Sequence, residues 1–120
     1  MRWLTLPNQE NKYKNKKVTV NGKVFDSKKE AKRYCELIKL EQAGLIKDLE
    51  TQKKFLLLDT FKKNGTTYKQ IRYYADFVYF DIYSKKTIVE DVKGIKTQVY
   101  KIKRKLFEYK YPDLTITEIY

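Results

Sequence analysis

Histidine is absent from this chain of 120 residues, which removes the Ser-His-Asp and Cys-His nucleophile systems, histidine-ligated zinc and every nuclease mechanism built on a histidine base. Cysteine is nearly as scarce. The single Cys35 has no partner for an internal disulfide, and its setting in a helical pattern reads as a small, half-buried residue in a reducing, intracellular compartment. No apolar run approaches the roughly 20 residues that span a bilayer, and the opening MRWLTLPNQ lacks the long apolar region of a signal peptide. The expectation is a cytoplasmic protein with no membrane segment. A membrane-surface role is disfavoured as well, because no basic helix carries a broad exposed apolar face. Acids are also in deficit. An enzyme of this composition works with carboxylates, lysines, tyrosines and a bound metal.

What is present is positive charge and aromatic surface. Lys and Arg number 27 against 15 acids, a net charge of +12 with a pI near 9.6, and such a balance favours a polyanionic partner, nucleic acid first. Hydrophobic residues still make up 42% of the chain and tyrosine alone contributes 11. The mean hydropathy of -0.71 therefore comes from abundant charge, and one core in one domain is expected.

Residues 1–17 include the polar, lysine-rich QENKYKNKK and read as a flexible basic arm, with a single domain over 18–120. VTVNGKVF predicts a small hairpin turning at Asn21-Gly22. Asp26 or Ser27 caps a helix over 27–43 that ends at Gly44 and carries an inward stripe including Ala31, Tyr34, Cys35, Leu37 and Ile38. Strands follow in FLLLDTF, YKQIRYYADFVYFDIY and TIVEDVK, the first two separated by KKNGTT with a turn at Asn64-Gly65. Together they predict an antiparallel meander. Thr97 caps a second helix over 97–109 with Val99, Ile102, Leu106 and Phe107 inward, Pro112 stops it, and LTITEIY supplies a last strand.

TIVEDVKG holds the least ordinary residues, two acids and a lysine at the end of a strand. Alternation puts Asp91 and Lys93 on one face and Glu90 and Val92 on the other. Asp76 lies in the aromatic segment YYADFVYF, where an acid is out of place without a partner or a metal. A hairpin turning near Ser84 with Asp81 opposite Thr87 sets Asp76 against Val92, beside Asp91 and Lys93. Adjacent carboxylates repel unless a cation lies between them, and an oxygen-only cluster suits Mg²⁺ or Mn²⁺.

This arrangement, Asp76 followed by Asp91-Val92-Lys93, resembles the signature of the PD-(D/E)xK nuclease superfamily, and the pattern from KYKNKKVTVNGKVFDSKKEAKRY through YYADFVYF, IVEDVKG and YKIKRKLFEYKYP is similar to a family of small phage and prophage proteins. The resemblance implies an α/β restriction-endonuclease-like core, a mixed central sheet flanked by two helices. It implies a Mg²⁺-dependent endodeoxyribonuclease related in plan to phage enzymes that cut branched or Holliday-junction DNA, working in an infected or lysogenic bacterial host. Asp76 and Asp91 would hold the metal, Glu30 would complete its shell and Lys93 would serve the attacking water. Glu90 would be a bystander, and Gln52 is a further residue that approaches the site. Paired cuts suggest a homodimer.

Plainer readings stand beside these. SKKE, from Ser27 to Glu30, is a capping box in its own right, and Asp91 with Lys93 forms an ion pair in a structural strand. Lys96, Lys101, Lys103 and Arg104 on the second helix read as phosphate contacts with Tyr100 stacking or hydrogen bonding, or else as a solvated face. The alternative function is a basic DNA- or RNA-binding accessory protein without catalysis.

Overall fold

A computed structural model describes residues 16–120; the arm expected over 1–17 lies, but for its last two residues, outside them. A hairpin of β1 (Val18–Val20) and β2 (Lys23–Phe25) leads into α1 (Lys28–Gln42). The long β3 (Ile46–Leu58), a small hairpin of β4 (Phe61–Lys63) and β5 (Thr66–Tyr68), then β6 (Ile71–Asp81) and β7 (Lys86–Val92) follow. Helix α2 (Gln98–Lys110) and β8 (Ile116–Ile119) complete the order. The central sheet runs β3-β6-β7-β8, antiparallel across its first three strands and parallel between β7 and β8. The protein is therefore mixed α/β, with a mixed central sheet and two helices.

Local chemistry accounts for the turns. Asn21 and Gly22 at φ 51° and 78°, and Asn64 and Gly65 at 52° and 75°, are the paired left-handed residues that a two-residue hairpin loop demands. Ser27 caps α1 by accepting the Glu30 N–H at 3.1 Å. Gly44 follows the helix at φ 78°, the left-handed backbone glycine adopts at little cost.

The core divides into two clusters on opposite faces of the sheet, since neighbours such as Ile88 and Val89 serve different ones. Ala31, Tyr34 and Leu37 of α1 pack with Phe25, Ile46, Phe77 and Tyr79. Tyr100 and Phe107 of α2 pack with Phe55, Leu57, Tyr73, Ala75, Val78, Val89 and Ile116.

Four expectations from the sequence need correction. Val99 and Ile102 are 62% and 58% exposed, because the aromatic face of α2 turns inward: Phe107 meets Phe55 edge-on at 5.1 Å and Tyr73 at 5.7 Å. Cys35 is exposed and not half-buried. Strand β3 begins at Ile46, so polar KDLETQKK is strand; as an edge strand it can send alternate side chains to water. The β6–β7 hairpin pairs Phe80 with Thr87 and Asp81 with Lys86, one residue from the expected register. Its turn is closed by the Lys85 N–H on the Asp81 carbonyl at 2.8 Å, with Lys85 at φ 58°.

Candidate functional site, a fork in the sheet lined by carboxylates and a lysine

The β6–β7 ladder runs from Asp81↔Lys86 to Phe77↔Glu90 and stops. Beyond it, the Val92 N–H donates to Asp76 Oδ2 at 2.7 Å, so a carboxylate stands where a backbone carbonyl would continue the ladder. Meanwhile β7 continues toward β8, with the Lys93 N–H on the Ile119 carbonyl at 2.7 Å. Asp76 thus sits in a fork between diverging strands. The strand itself turns over there, since Ala75 belongs to the α2-side core and Phe77 to the α1-side core, although residues two apart on a regular strand share a face.

Asp91, in β7, and Lys93, one residue past its end, lie on one side as their spacing requires. Lys93 Nζ lies 2.8 Å from Asp91 Oδ1 and 3.4 Å from the centroid of the Tyr100 ring. The Tyr73 hydroxyl donates to Asp91 Oδ2. Both charged groups are buried, at 6% and 9% exposure, so their mutual pairing and the ring quadrupole replace the water they have lost. On the other face, Glu90 is 1% exposed and held by Arg33 Nε at 2.9 Å and Arg33 Nη2 at 2.6 Å. The Tyr79 hydroxyl also donates to it. Glu90 thus ties α1 to the sheet through Arg33.

Glu30 is buried at the start of α1. Its backbone N–H completes half of a capping box, but its carboxylate turns to the sheet and accepts from Gln52 Nε2 at 3.2 Å. The same nitrogen donates to Asp76 Oδ1 at 3.0 Å. Burial, then the Asp76 and Asp26 charges, push the Glu30 carboxyl up to about 7 against the opposing Gln52 hydrogen bond, with Asp91 adding to the rise. Burial likewise pushes Asp76 up to about 6; the Val92 N–H, Gln52 and Lys93 oppose the rise, while Asp91 adds to it. The acids feel one another.

The donor set is all oxygen, which fits Mg²⁺ or Mn²⁺ in kind. Among the described residues, however, no three acids are gathered closely enough to hold a metal ion. Glu30 and Asp76 are spaced by the Gln52 amide, and Asp91 is engaged by Lys93 and Tyr73.

The basic residues in and just before α2 divide. Lys96 Nζ and Arg104 Nη1 approach Glu118 at 3.0 and 2.9 Å, and the Tyr100 and Tyr120 hydroxyls donate to it at 2.8 Å each. Lys101 and Lys103 have no ion-pair partner among the described residues. Lys96, Tyr100, Lys101, Arg104 and Glu118 line a surface cavity of about 420 Å³. Sequence reasoning missed Glu118, which has no motif around it; only its place on a parallel edge strand beside Asp91 brings it under α2.

Burial opposes ionisation of Glu118, but hydrogen bonds from Tyr100, Tyr120 and Lys96 and the Arg104 charge outweigh it and hold the carboxyl down at about 2. A folded value below the ordinary 4.5 means stability that is present above about pH 4.5 and lost as pH falls towards 2. Glu118→Gln is therefore expected to melt below the wild type at pH 7, with the gap closing across that acid window in thermal scans. A gap independent of pH would show that the carboxylate charge contributes nothing.

Fold and site together define a mixed α/β domain with buried carboxylates and a lysine at a fork in its sheet. The chain belongs to a family that residues 10–120 match, described as "Protein of unknown function (DUF1064)". Neither the curated proteins nor the solved structures give a match. No helix among the described residues is long and apolar enough to cross a membrane.

Proposed function

We propose that this protein is a metal-dependent DNA endonuclease with a PD-(D/E)xK-like core. The observation that carries the reading is the convergence of Asp76, Asp91 and Lys93, with Glu30 linked through Gln52, at the β6–β7 fork. Burying charged groups costs several kcal/mol each before pairing offsets it. A structural strand end has no need of such a cluster, whereas phosphodiester hydrolysis has.

Asp76, Asp91 and Glu30 are the residues that would hold the cation. A divalent ion there supplies Lewis-acid polarisation of the phosphodiester and lowers the pKa of a bound water. Lys93 orients the attacking water or neutralises charge developing on the phosphate. The Tyr100 ring beneath its ammonium, and the packing of Tyr100 in the α2-side core, fix where that charge points.

Branched or junction DNA is the substrate favoured by the resemblance to junction-cutting phage enzymes. Paired cuts favour a homodimer, for which the exposed Ile95, Val99 and Ile102 offer a contact. The test is incubation of a labelled four-way junction, a linear duplex and a single strand with Mg²⁺, Mn²⁺ or EDTA. Metal-dependent cutting supports the reading; salt-sensitive binding with no cutting in either metal removes it.

A second reading, a basic nucleic-acid-binding module without catalysis, draws on the net charge of +12 and on the absence of a ready three-acid metal shell among the described residues. Under both readings Lys101 and Lys103 contact phosphate. Replacing each by Ala is expected to lower the slope of log affinity against log salt by about 1, read by fluorescence anisotropy. An unchanged slope would take α2 out of the interface.

A further inference from the structure

Gln52 is the one residue of this site whose backbone is strained. It sits inside the 13-residue β3 at φ 51°, a left-handed conformation that a non-glycine residue adopts at a cost of order 1 kcal/mol or more. On either side of it the strand pairs regularly, Thr51 with Phe77 and Lys53 with Ala75. Yet Phe77 belongs to the α1-side core and Ala75 to the α2-side core. Both strands therefore turn over at the position where Gln52 faces Asp76. The twist has a chemical result: the exposed Gln52 side chain is brought over the half-buried Asp76, and a single amide nitrogen donates to Glu30 at 3.2 Å and Asp76 at 3.0 Å.

The carboxamide presents its NH₂ to the two acids, and that group brings two positively polarised hydrogens, one for each carboxylate. We propose that Gln52 is a positioning residue that stands in for the divalent cation, its NH₂ holding the Glu30 and Asp76 carboxylates in the metal-free protein and giving way when the ion binds. The inference rests on the metal-dependent reading above. It also accounts for the separation of Glu30 from Asp76, because the amide occupies the space the two carboxylates would share around an ion. A strained backbone suits a group that must hold two acids and then release them.

The test is calorimetric titration of Mn²⁺ into the full chain at fixed pH and low salt, comparing wild type with Gln52→Gly, which adopts the left-handed backbone freely. Gln52→Asn, which tolerates that backbone but is one methylene short of the bridge, serves as the second variant, and Asp76→Asn as the loss-of-ligand control. Circular dichroism verifies the folded state. Since two hydrogen bonds no longer have to be broken, both Gln52 variants are expected to bind Mn²⁺ about five- to 100-fold more tightly. A merely structural role would move affinity the other way. Mn²⁺ binding that is intact in the wild type but unchanged or weaker in the variants overturns the stand-in role and leaves the metal reading in place. Absence of binding in wild type and variants alike overturns the metal reading itself.

Discussion

Asp91→Asn is expected to reduce metal-dependent cleavage at least about 10³-fold. On the proposed reading the carboxylate serves both the cation and Lys93, which lies 2.8 Å away, and its replacement by an amide deprives the metal of a charged ligand and leaves the buried ammonium, over the Tyr100 ring, with a neutral oxygen in place of its counter-charge. Loss of about 4 kcal/mol of transition-state stabilisation corresponds to that factor, and it is a modest share of what a bound cation contributes. Lys93→Met separates the two roles. It is expected to lose cleavage to a similar extent while retaining Mn²⁺ affinity, because in the proposed mechanism the lysine serves the water and not the ion. Single-turnover cleavage beside calorimetric titration reads both quantities. Retained cleavage in Lys93→Met would remove the lysine from the chemistry and leave it as the partner of a structural ion pair.

Arg33→Ala is expected to give the largest loss of stability of any single surface-accessible change. Glu90 is 1% exposed, and its two oxygens accept from Arg33 Nε and Nη2. Truncating the guanidinium leaves a buried carboxylate with the Tyr79 hydroxyl alone, and breaking a buried pair from one side costs about 3–5 kcal/mol. For a domain of this size that corresponds to a fall in Tm of about 12–20 °C. The double substitution Arg33→Met with Glu90→Gln removes the charge from both sides and keeps an acceptor for Tyr79, so it is expected to recover most of the loss. Equal melting of Arg33→Ala and the wild type would mean that Glu90 finds water or another donor.

Much of this arrangement was legible in the sequence, for a physical reason in each case. The Asn-Gly turns and the Ser27 and Thr97 caps announce themselves because their backbone or hydrogen-bond chemistry is local. The separation of Asp91 and Lys93 from Glu90 follows from strand alternation alone. What stayed hidden depends on packing between distant segments. Whether α2 buries aliphatic or aromatic residues is decided by Phe55 and Tyr73 on other strands, which the helix's own periodicity does not reveal. The one-residue error in the β6–β7 register came from the length of the turn before Lys86, which strand patterns leave open. The inversion of faces at Gln52 and Asp76 breaks the period-two rule on which the strand reading rests, so no alternation argument could have found it. Glu118 had no local signal at all, since only the parallel pairing of β8 brings it beneath Tyr100 and Arg104.

The central claim is that the fork between β6 and β7 is a hydrolytic metal centre, and Asp76 is the residue on which it turns. The most direct measurement is single-turnover cleavage of a labelled four-way junction in Mn²⁺ by wild type and by Asp76→Asn, with circular dichroism showing both to be folded. Asn at this position still offers the Val92 N–H a carbonyl acceptor, so the variant keeps that hydrogen bond while losing the charge and the acceptor for Gln52. The expected result is cutting by the wild type, none in EDTA, and none by Asp76→Asn. Equal cutting by the two proteins, or none by the wild type in either Mg²⁺ or Mn²⁺ despite tight junction binding, would contradict the account.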